Sequence, residues 1–200
     1  ETIYKLNMNK EELLNIFEET GALQYGHFIL SSGKRSGTYC QCSRLFIDPK
    51  ISNKIGSALA NKIQSKISTE IDFVVAPALG GVLVGYEVAR LLNSKSLFFE
   101  RTNEEFELRR GFEIEQNKNV LFIEDVITTG KSSKECLDKL YKMKINLLGI
   151  ACIVDRSQEN VFNDHEIISL LKLDIPTYDL NNLPEELKKI EPVKPGSRKI

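Results

Sequence analysis

The chain has 200 residues, of which 42% are hydrophobic and 28% charged, and its formal net charge is −1. This size and composition are typical of one globular domain with a substantial core. The balance of 27 basic against 28 acidic residues argues against a surface that coats nucleic acid, and no apolar run approaches the length that spans a bilayer. We therefore expect a cytoplasmic protein that binds neither nucleic acid nor membrane.

The four cysteines do not form a metal-binding pattern. Only Cys40 and Cys42 are close in sequence, whereas Cys136 and Cys152 stand alone. No second close pair and no neighbouring histidine completes a zinc site. We interpret all four as reduced thiols, which is typical of a cytosolic protein.

The first 70 residues predict two helices separated by short strands. A helix is expected over residues 9–21, because Asn9 can cap its start and Gly21 can supply the left-handed stop. Residues 27–48 alternate in polarity and are rich in turn residues, which predicts short strands around a Ser-Ser-Gly turn. Apolar residues at four-residue spacing then predict a long amphipathic helix over 51–67.

From residue 71 onwards, short apolar runs alternate with helix-like stretches. The predicted strands are IDFVVAP (71–77), KSLFFE (95–100), NVLFIED (119–125), INLLGIACIVD (145–155) and IPTYDL (175–180). The predicted helices are GVLVGYEVARLLN (81–93), KSSKECLDKLYKMK (131–144) and the shorter VFNDHEIISLLKL (161–173). Strands that are apolar throughout are buried on both faces, and their alternation with helices predicts a doubly wound α/β core with a parallel sheet.

One strand ends on two acids and turns into a helix through glycine, in the stretch VLFIEDVITTGKSS (120–133). Glu124 and Asp125 at the end of a buried strand cost free energy unless a ligand meets them. Gly130 and the N-terminus of the following helix can receive a phosphate. The stretch therefore predicts a ligand with a phosphate and vicinal hydroxyls, such as a ribose 5-phosphate, provided that the strand ends at the acids, since neighbouring strand residues point to opposite faces. The alternative is an acid pair that only caps the helix.

A nucleotide-binding Walker loop is excluded by spacing. Gly130-Lys131-Ser132 matches the end of the motif G-x-x-x-x-G-K-[ST], but Asp125 stands where the first glycine is required. An aspartate there would repel the phosphates.

The stretch VLFIEDVITTGKS resembles the phosphoribosyl-pyrophosphate (PRPP) signature of type I phosphoribosyltransferases. Four further segments resemble the orotate phosphoribosyltransferases in that family: GHFILSSGKRSGTY (26–39), APALGGVLVGYEVAR (76–90), FFERTNEEFELRRGF (98–112) and the pair Asp155-Arg156. Together they span most of the chain.

The resemblance implies an α/β fold in which helices flank a parallel five-stranded sheet. It implies a single phosphoribosyltransferase domain over residues 1–200, with a small hood subdomain formed partly by residues 1–45 or thereabouts. It also implies a homodimer in which a loop is shared between subunits. The implied reaction transfers ribose 5-phosphate from PRPP to orotate with Mg²⁺, giving orotidine 5′-monophosphate and pyrophosphate in pyrimidine biosynthesis.

The resemblance also assigns site residues. PRPP would be bound by Arg101, Glu124, Asp125, Val126, Ile127, Thr128, Thr129, Gly130, Lys131 and Ser132. Thr128 and Arg156 would contact orotate, whose carboxylate matches the planar donor fork of arginine. Arg109, Arg110 and Asp125 are the catalytic candidates, since cations on a closing loop stabilise the departing pyrophosphate. Mg²⁺ would be held mainly by PRPP, with no ligand set supplied directly by the protein.

Several positions depart from the pattern of many family members. Gly80 and Ser31 stand where those members carry lysines, and the Lys-x-His element of their catalytic loop is missing. Arg109 or Arg110 is therefore the favoured cation, and Lys34 and Arg35 are weaker candidates near the hood. His27 and His165 are predicted to be structural. The small residues 76–81 could bring backbone N–H groups to pyrophosphate.

Alternatives remain open for single residues and for the whole chain. Arg156 could be a surface arginine paired with Asp155. The chain could be a purine phosphoribosyltransferase, although such an enzyme has no need of Arg156 and is expected to stack its base on an aromatic ring. It could also be a non-catalytic PRPP-sensing regulator, although such a protein is expected to add a DNA-binding motif or a basic surface.

Overall fold

The computed structural model describes residues 8–30, 32–159, 161–162 and 165–195. Ser31 of the predicted turn, and residues 1–7 of the predicted hood, lie outside the described residues. Within the described residues, no helix combines the length and the apolar character that crossing a bilayer requires.

The secondary structure follows the predicted order as far as β7, except that β5 is an additional strand between β4 and β6. The helices are α1 (Lys10–Glu19), α2 (Pro49–Lys66), α3 (Gly80–Leu92), α4 (Lys131–Lys142) and α5 (Glu185–Lys188). The strands are β1 (Leu23–Ile29), β2 (Arg35–Cys40), β3 (Phe73–Pro77), β4 (Lys95–Thr102), β5 (Glu105–Leu108), β6 (Asn119–Ile127), β7 (Asn146–Asp155) and β8 (Ile167–Lys172). Short 3-10 helices span Cys42–Phe46 and Leu180–Asn182.

The main sheet has six strands in the order β5-β4-β3-β6-β7-β8. The five strands from β4 to β8 in this order are parallel, and β5 adds an antiparallel edge to β4. The expected α/β class with a parallel sheet and flanking helices is confirmed. The expected number of five strands is wrong for the sheet as a whole, because β5 lies in a segment that the sequence analysis treated as a loop.

Two predicted elements near the C-terminus are also wrong. The segment 161–173, predicted as a helix, contains β8, and the segment 175–180, predicted as a strand, forms only one isolated bridge, between Tyr178 and Arg35. The run of apolar and β-branched residues in β8 pairs with the free edge of β7, and this pairing outweighs the helical spacing of its leucines.

The caps of the first helix confirm the sequence prediction. Asn9 accepts a hydrogen bond from the backbone of Glu12, whose side chain accepts one from the backbone of Asn9. Gly21, just beyond the helix, has the expected left-handed backbone with φ of 68°. The second helix begins at Pro49, two residues before the predicted start, with Asp48 as its cap.

The core lies on both faces of the sheet. Val74 and Leu121 are buried on the face that is covered by α1, α2 and α3. Val75 and Phe122 are buried on the opposite face, under α4. Because consecutive residues of a strand point to opposite faces and both faces are buried, consecutive positions must be apolar, as the sequence indicated.

The register of β6 opens a notch in the sheet. β3 pairs with β6 only as far as the partners Val75 and Phe122, whereas β7 continues alongside β6 until Ile127 faces Asp155. The strand thus runs on past Glu124 and Asp125 instead of ending there, which corrects the expectation. At Glu124 and Asp125, the edge of β6 that faces β3 has no pairing partner within the described part of the chain, and this open edge takes the place of the expected strand end.

A hairpin of β1 and β2 forms a separate two-stranded sheet beside the main one. The C-terminal segment is hydrogen-bonded to this hairpin. The backbone N–H of Ile29 donates to the carbonyl oxygen of Val193, and the backbone N–H of Val193 donates to the carbonyl oxygen of His27. Arg35 and Tyr178 exchange a further pair of backbone hydrogen bonds. The N-terminal and C-terminal parts of the chain therefore build one substructure.

Candidate active site

A cleft of about 270 Å³ lies at the notch between β3 and β6. Its lining includes the end of β3, the start of α3, one residue of β5, and the chain from β6 into α4. Every residue from 124 to 132 that the sequence analysis assigned to PRPP binding lines this cleft. The remaining lining residues are Pro77, Ala78, Gly80, Phe106 and Ser133.

Glu124 is a buried carboxyl group at the base of the cleft, with 8% of its surface exposed. Burial, and then the neighbouring charge of Asp125, raise the pKa of Glu124 to about 8, although the hydroxyl of Ser133 opposes this by donating to Oε1 at 3.0 Å. Near neutral pH the group therefore holds a proton for much of the time. It is equipped both to accept a hydrogen bond from a hydroxyl and to donate one.

Asp125 lies against the start of α3. The backbone N–H of Val126 donates to its Oδ1 at 2.8 Å, and burial raises the pKa of its carboxyl group. A Cβ atom at Gly80 would come within 2.5 Å of Oδ2. Any larger residue at position 80 would therefore require the carboxylate of Asp125 to move.

The loop from Thr128 to Gly130 brings backbone N–H groups to the cleft. Gly130 has a left-handed backbone with φ of 68° and caps α4, which begins at Lys131. The first N–H groups of a helix have no partner within the helix, and the dipole makes this end positive. The cleft is therefore polar and attracts anions at this side.

Arg156 lies beside the cleft, next to the loop of Thr128. Its backbone N–H donates to Ile127 at 2.8 Å, and its Nε is buried without a hydrogen-bond partner among the described residues. Asp155 instead accepts from Ser157, through both the backbone and the hydroxyl, and pairs with Lys172 at 3.4 Å. The alternative that Arg156 is a partner of Asp155 is therefore not supported. An unpaired buried guanidinium N–H group is costly, and an anionic ligand would relieve that cost.

The three arginines of the segment 98–112 do not line the cleft of their own chain. Arg101 stacks over Phe106, which does line it, and pairs with Glu135 of α4 at 3.0 Å. Arg110 binds Glu100 through two hydrogen bonds of 2.8 Å. Arg109 is 3.5 Å from the hydroxyl of Thr102. The segment is a β-hairpin followed by a turn, and Arg109 and Arg110 lie in that turn.

The other basic candidates lie in or near the hairpin of β1 and β2. Lys34 Nζ is 3.7 Å from Asp179 at the surface. Arg35 has two buried nitrogens, Nε and Nη1, with no hydrogen-bond partner among the described residues. His27 is buried with its Nδ1 3.0 Å from the carbonyl oxygen of Ile190, and neither His27 nor His165 lines the cleft.

Sequence reasoning missed two residues of the cleft. Ser133 was treated as part of the helix, although a serine in the first turn after a phosphate-type loop is well placed to contact the preceding strand. Phe106 was placed in a loop, but the alternation of Glu105, Phe106 and Glu107 is a strand signal. The approach of the 76–81 segment to the cleft, in contrast, follows the prediction, with Pro77, Ala78 and Gly80 in the lining.

Comparisons with known proteins agree with this geometry. The family model "Phosphoribosyl transferase domain" matches residues 41–189. The orotate phosphoribosyltransferase of Thermoanaerobacter sp. (strain X514) is 45% identical over 96% of this chain and 100% of its own length, and that of Maricaulis maris is 42% identical over 96% and 98%.

Solved structures share the fold at lower identity. The orotate phosphoribosyltransferase from Aeropyrum pernix superposes with a TM-score of 0.70 at 22% identity, covering 80% of this chain and 93% of that one. An adenine phosphoribosyltransferase from Thermoanaerobacter pseudethanolicus gives a TM-score of 0.59 at 17% identity, covering 68% and 88%. These structural matches establish the architecture alone, because different acceptor bases occur on it.

Proposed function

Because the chain belongs to the phosphoribosyltransferase family, and within it to the orotate phosphoribosyltransferases, we propose how its cleft carries out their reaction. The chain is a pentosyltransferase of pyrimidine biosynthesis. It transfers ribose 5-phosphate from PRPP to orotate and forms orotidine 5′-monophosphate and pyrophosphate.

One observation carries the assignment of the donor site: residues 124–132 line a single cleft where β3 and β6 separate. In the proposal, the carboxyl groups of Glu124 and Asp125 bind the ribose hydroxyls. The backbone of Val126 and Ile127 forms the floor, and the loop Thr128 to Ser132 binds the 5-phosphate with its N–H groups. Arg101, beside Phe106 at the rim, adds positive charge for the donor.

Orotate occupies the side of the cleft next to Thr128 and Arg156. The guanidinium group of Arg156 pairs with the orotate carboxylate, which gives its buried Nε a partner. We propose that residues 1–200 act as one domain. In the proposal, the hairpin of β1 and β2, together with the C-terminal residues that are hydrogen-bonded to it, forms the hood over the base. Arg35 of this hairpin also has two buried guanidinium nitrogens without a hydrogen-bond partner among the described residues. It is therefore the cation of the hood that we expect to pair with an anionic group of the substrates.

Orotate is bound with its ring nitrogen N1 already deprotonated, so the chemical step forms a bond from N1 to the anomeric carbon and breaks the bond from that carbon to pyrophosphate. Positive charge develops on the sugar and negative charge on the leaving group. The cleft offers the backbone of Ala78 and Gly80 at the start of α3 to the pyrophosphate. Arg109 and Arg110 supply the loop cations, delivered to the partner subunit's cleft when the hairpin closes.

The donor atoms in the cleft fit Mg²⁺ that arrives with its substrate. Mg²⁺ prefers oxygen ligands and commonly binds through one or two carboxylates together with substrate phosphates. Mg²⁺ would be held mainly by PRPP, beside the carboxyl oxygens of Glu124 and Asp125, and no cluster of three metal-ligating side chains occurs among the described residues. When bound, Mg²⁺ neutralises the charge that accumulates on pyrophosphate.

A homodimer is supported by an exposed apolar face at the start of α3. Leu79, Leu83 and Tyr86 are 85%, 51% and 64% exposed. Large apolar side chains that are exposed together are typical of a protein–protein interface. We propose that a second copy of the chain covers this face. We also place the enzyme in the cytoplasm, because its four cysteines are free thiols.

The activity is tested by following the ultraviolet absorbance of orotate with PRPP and Mg²⁺, beside parallel reactions with adenine, hypoxanthine and uracil. We expect turnover with orotate only. Turnover of a purine with no consumption of orotate would refute the acceptor assignment while leaving the donor site intact. Absence of turnover with all four bases, together with PRPP binding by calorimetry, would favour a PRPP-sensing regulator.

A further inference from the structure

Cys40 and Cys42 form a dithiol pair that the transfer reaction does not use. Their sulfur atoms are 3.8 Å apart and hydrogen-bonded. Cys40, at the end of β2, is half-buried and accessible to small solutes, whereas Cys42 is only 1% exposed. The two Cα atoms are two positions apart in the sequence, with only Gln41 between them, and so at most about 7 Å apart, close to the range of about 4.4–6.8 Å that a disulfide accepts.

The two thiols are chemically unequal in the way that oxidation requires. The hydrogen bond from the Cys42 thiol lowers the pKa of Cys40, whereas the same contact and burial raise the pKa of Cys42. Cys40 is therefore the better nucleophile and the more accessible one. Cys136 and Cys152 are fully buried, and burial raises the pKa of both, so the protein carries two unreactive thiols as internal controls.

The pair is mechanically connected to the proposed active site. Cys42 begins the 3-10 helix Cys42–Phe46, which packs against β6, and it belongs to the same buried cluster as Ile123, the residue before Glu124. The charges of Arg156 and Asp125 both act on the sulfur of Cys40. A change in the position of either sulfur is therefore transmitted to the residues that flank the cleft.

We propose that Cys40 and Cys42 are a thiol-oxidation site, closed by a peroxide into a disulfide that reversibly lowers transferase activity. The Cys40 thiol first ionises and its thiolate attacks one oxygen of hydrogen peroxide, so that the O–O bond breaks and hydroxide leaves. The hydroxide takes up the proton that Cys40 released, which gives one water and a sulfenic acid. The Cys42 thiol then attacks that sulfur and releases a second water, so two thiols and one peroxide give one disulfide and two waters. The sulfur atoms approach by about 1.8 Å, from 3.8 Å to a bond length near 2.0 Å.

Bond formation is independent of the proposed acceptor, whereas the effect on turnover rests on the proposed function. The purified full-length chain is therefore treated with hydrogen peroxide and first examined by thiol titration under denaturing conditions and by peptide mass mapping. We expect two of the four thiols to disappear, together with the mass of two hydrogen atoms in the peptide that contains both residues.

The orotate assay on the same samples then reports the coupling. We expect activity to fall by about 10- to 100-fold, since displacements of about 1 Å at a site can cost about 100-fold in rate, and to return with dithiothreitol. The variant Cys40→Ser should keep its activity in peroxide, and Cys136→Ser should lose activity as the unaltered chain does.

Four intact thiols after treatment, oxygen added to Cys40 without the disulfide, or a disulfide that leaves turnover unchanged would each overturn the proposal. If the reduced chain has no activity towards orotate, the proposed function fails, and the thiol count alone decides whether the site exists.

Discussion

Glu124 carries the most strongly shifted carboxyl pKa at the site, and this has a consequence for stability. In the unfolded chain its pKa is near 4.5, whereas burial raises it to about 8 in the folded protein. Between these values the folded protein holds a proton that the unfolded chain has released. The stabilising contribution of the protonated group is complete below pH 4.5 and is lost as the pH rises towards 8.

We therefore expect the free energy of unfolding to fall between pH 5 and 8, by at most about 1.4 kcal/mol per pH unit from this group. Glu124→Gln should reduce the slope, because the amide does not titrate, and the raised pKa of Asp125 should leave a remainder of the same sign. Urea unfolding at several pH values measures this. The exposed Glu186→Gln is the control and should keep the original slope; equal slopes for all three proteins would contradict the role of Glu124.

Asp125 should contribute to donor binding through its charge. In Asp125→Asn a charge-assisted hydrogen bond to the ribose is weakened, with a cost of about 1.5–3 kcal/mol. We expect kcat/KM for PRPP to fall by about 10- to 150-fold. Steady-state kinetics at saturating orotate measure this, and Asp138→Asn, which makes the same charge change on the exposed face of α4, should match the unaltered enzyme. A similar loss in both variants would point to charge in general instead of contact with the sugar.

Arg156 should determine the acceptor and not the donor. We expect Arg156→Ala to raise the KM for orotate by about 10- to 150-fold, because one charged hydrogen-bonding partner is lost, with little change in the KM for PRPP. Uracil lacks the carboxylate, so the preference for orotate over uracil should also shrink in this variant. Equal increases in both Michaelis constants would indicate a folding defect.

At the scale of secondary structure elements, the start of α3 and the end of β6 are in contact through one glycine. A methyl group at position 80 would lie 2.5 Å from Asp125 Oδ2, so Gly80→Ala must displace that carboxylate. We expect weaker PRPP binding, measured by calorimetry, with the fold retained in circular dichroism. Gly37→Ala is a matched control, because its nearest neighbour, Leu187 Cδ2, is 3.5 Å away. Unchanged binding in Gly80→Ala would show that the carboxylate moves freely.

Helices α1 to α4 and the central strands could be predicted because local signals determine them. Asn9 and Gly21 mark the ends of α1, and the runs of β3, β6 and β7 are too apolar to lie anywhere but in the core. The edges of the sheet could not be predicted so well. The leucines of β8 have helical spacing, and only pairing with the free edge of β7 makes this segment a strand.

The cleft was predicted from its residues, although the reason for its position was not. The acids and the glycine loop stand in one stretch of sequence, and their chemistry predicts a phosphorylated ligand. The notch depends on where β3 stops pairing with β6, and that register arises from contacts between distant segments. Phe106 likewise reaches the cleft only because β5 folds back on β4.

At the scale of the whole molecule, the proposed dimer and its shared loop can be tested together. Two variants with impaired activity are mixed at PRPP concentrations where each alone is nearly inactive, namely Asp125→Asn and the double variant Arg109→Ala/Arg110→Ala. If the loop serves the partner's cleft, each mixed dimer has one intact site. Random exchange of subunits should then restore about a quarter of the original activity. If the loop serves its own cleft, no mixed dimer contains an intact site, and the mixture should stay inactive.

The two kinds of contact in the cleft have different origins, and this bears on how such an enzyme could be redesigned. In the proposed site, the phosphate of the donor meets main-chain geometry, namely the early end of the β3–β6 ladder and the glycine turn, and its ribose meets the carboxyl groups of one strand. The proposed partners of the nucleobase are side chains on separate elements, namely Arg156 after β7 and residues of the β1–β2 hairpin. We therefore expect that substitutions at those side chains alter the preference for the acceptor base and leave the binding of the donor unchanged.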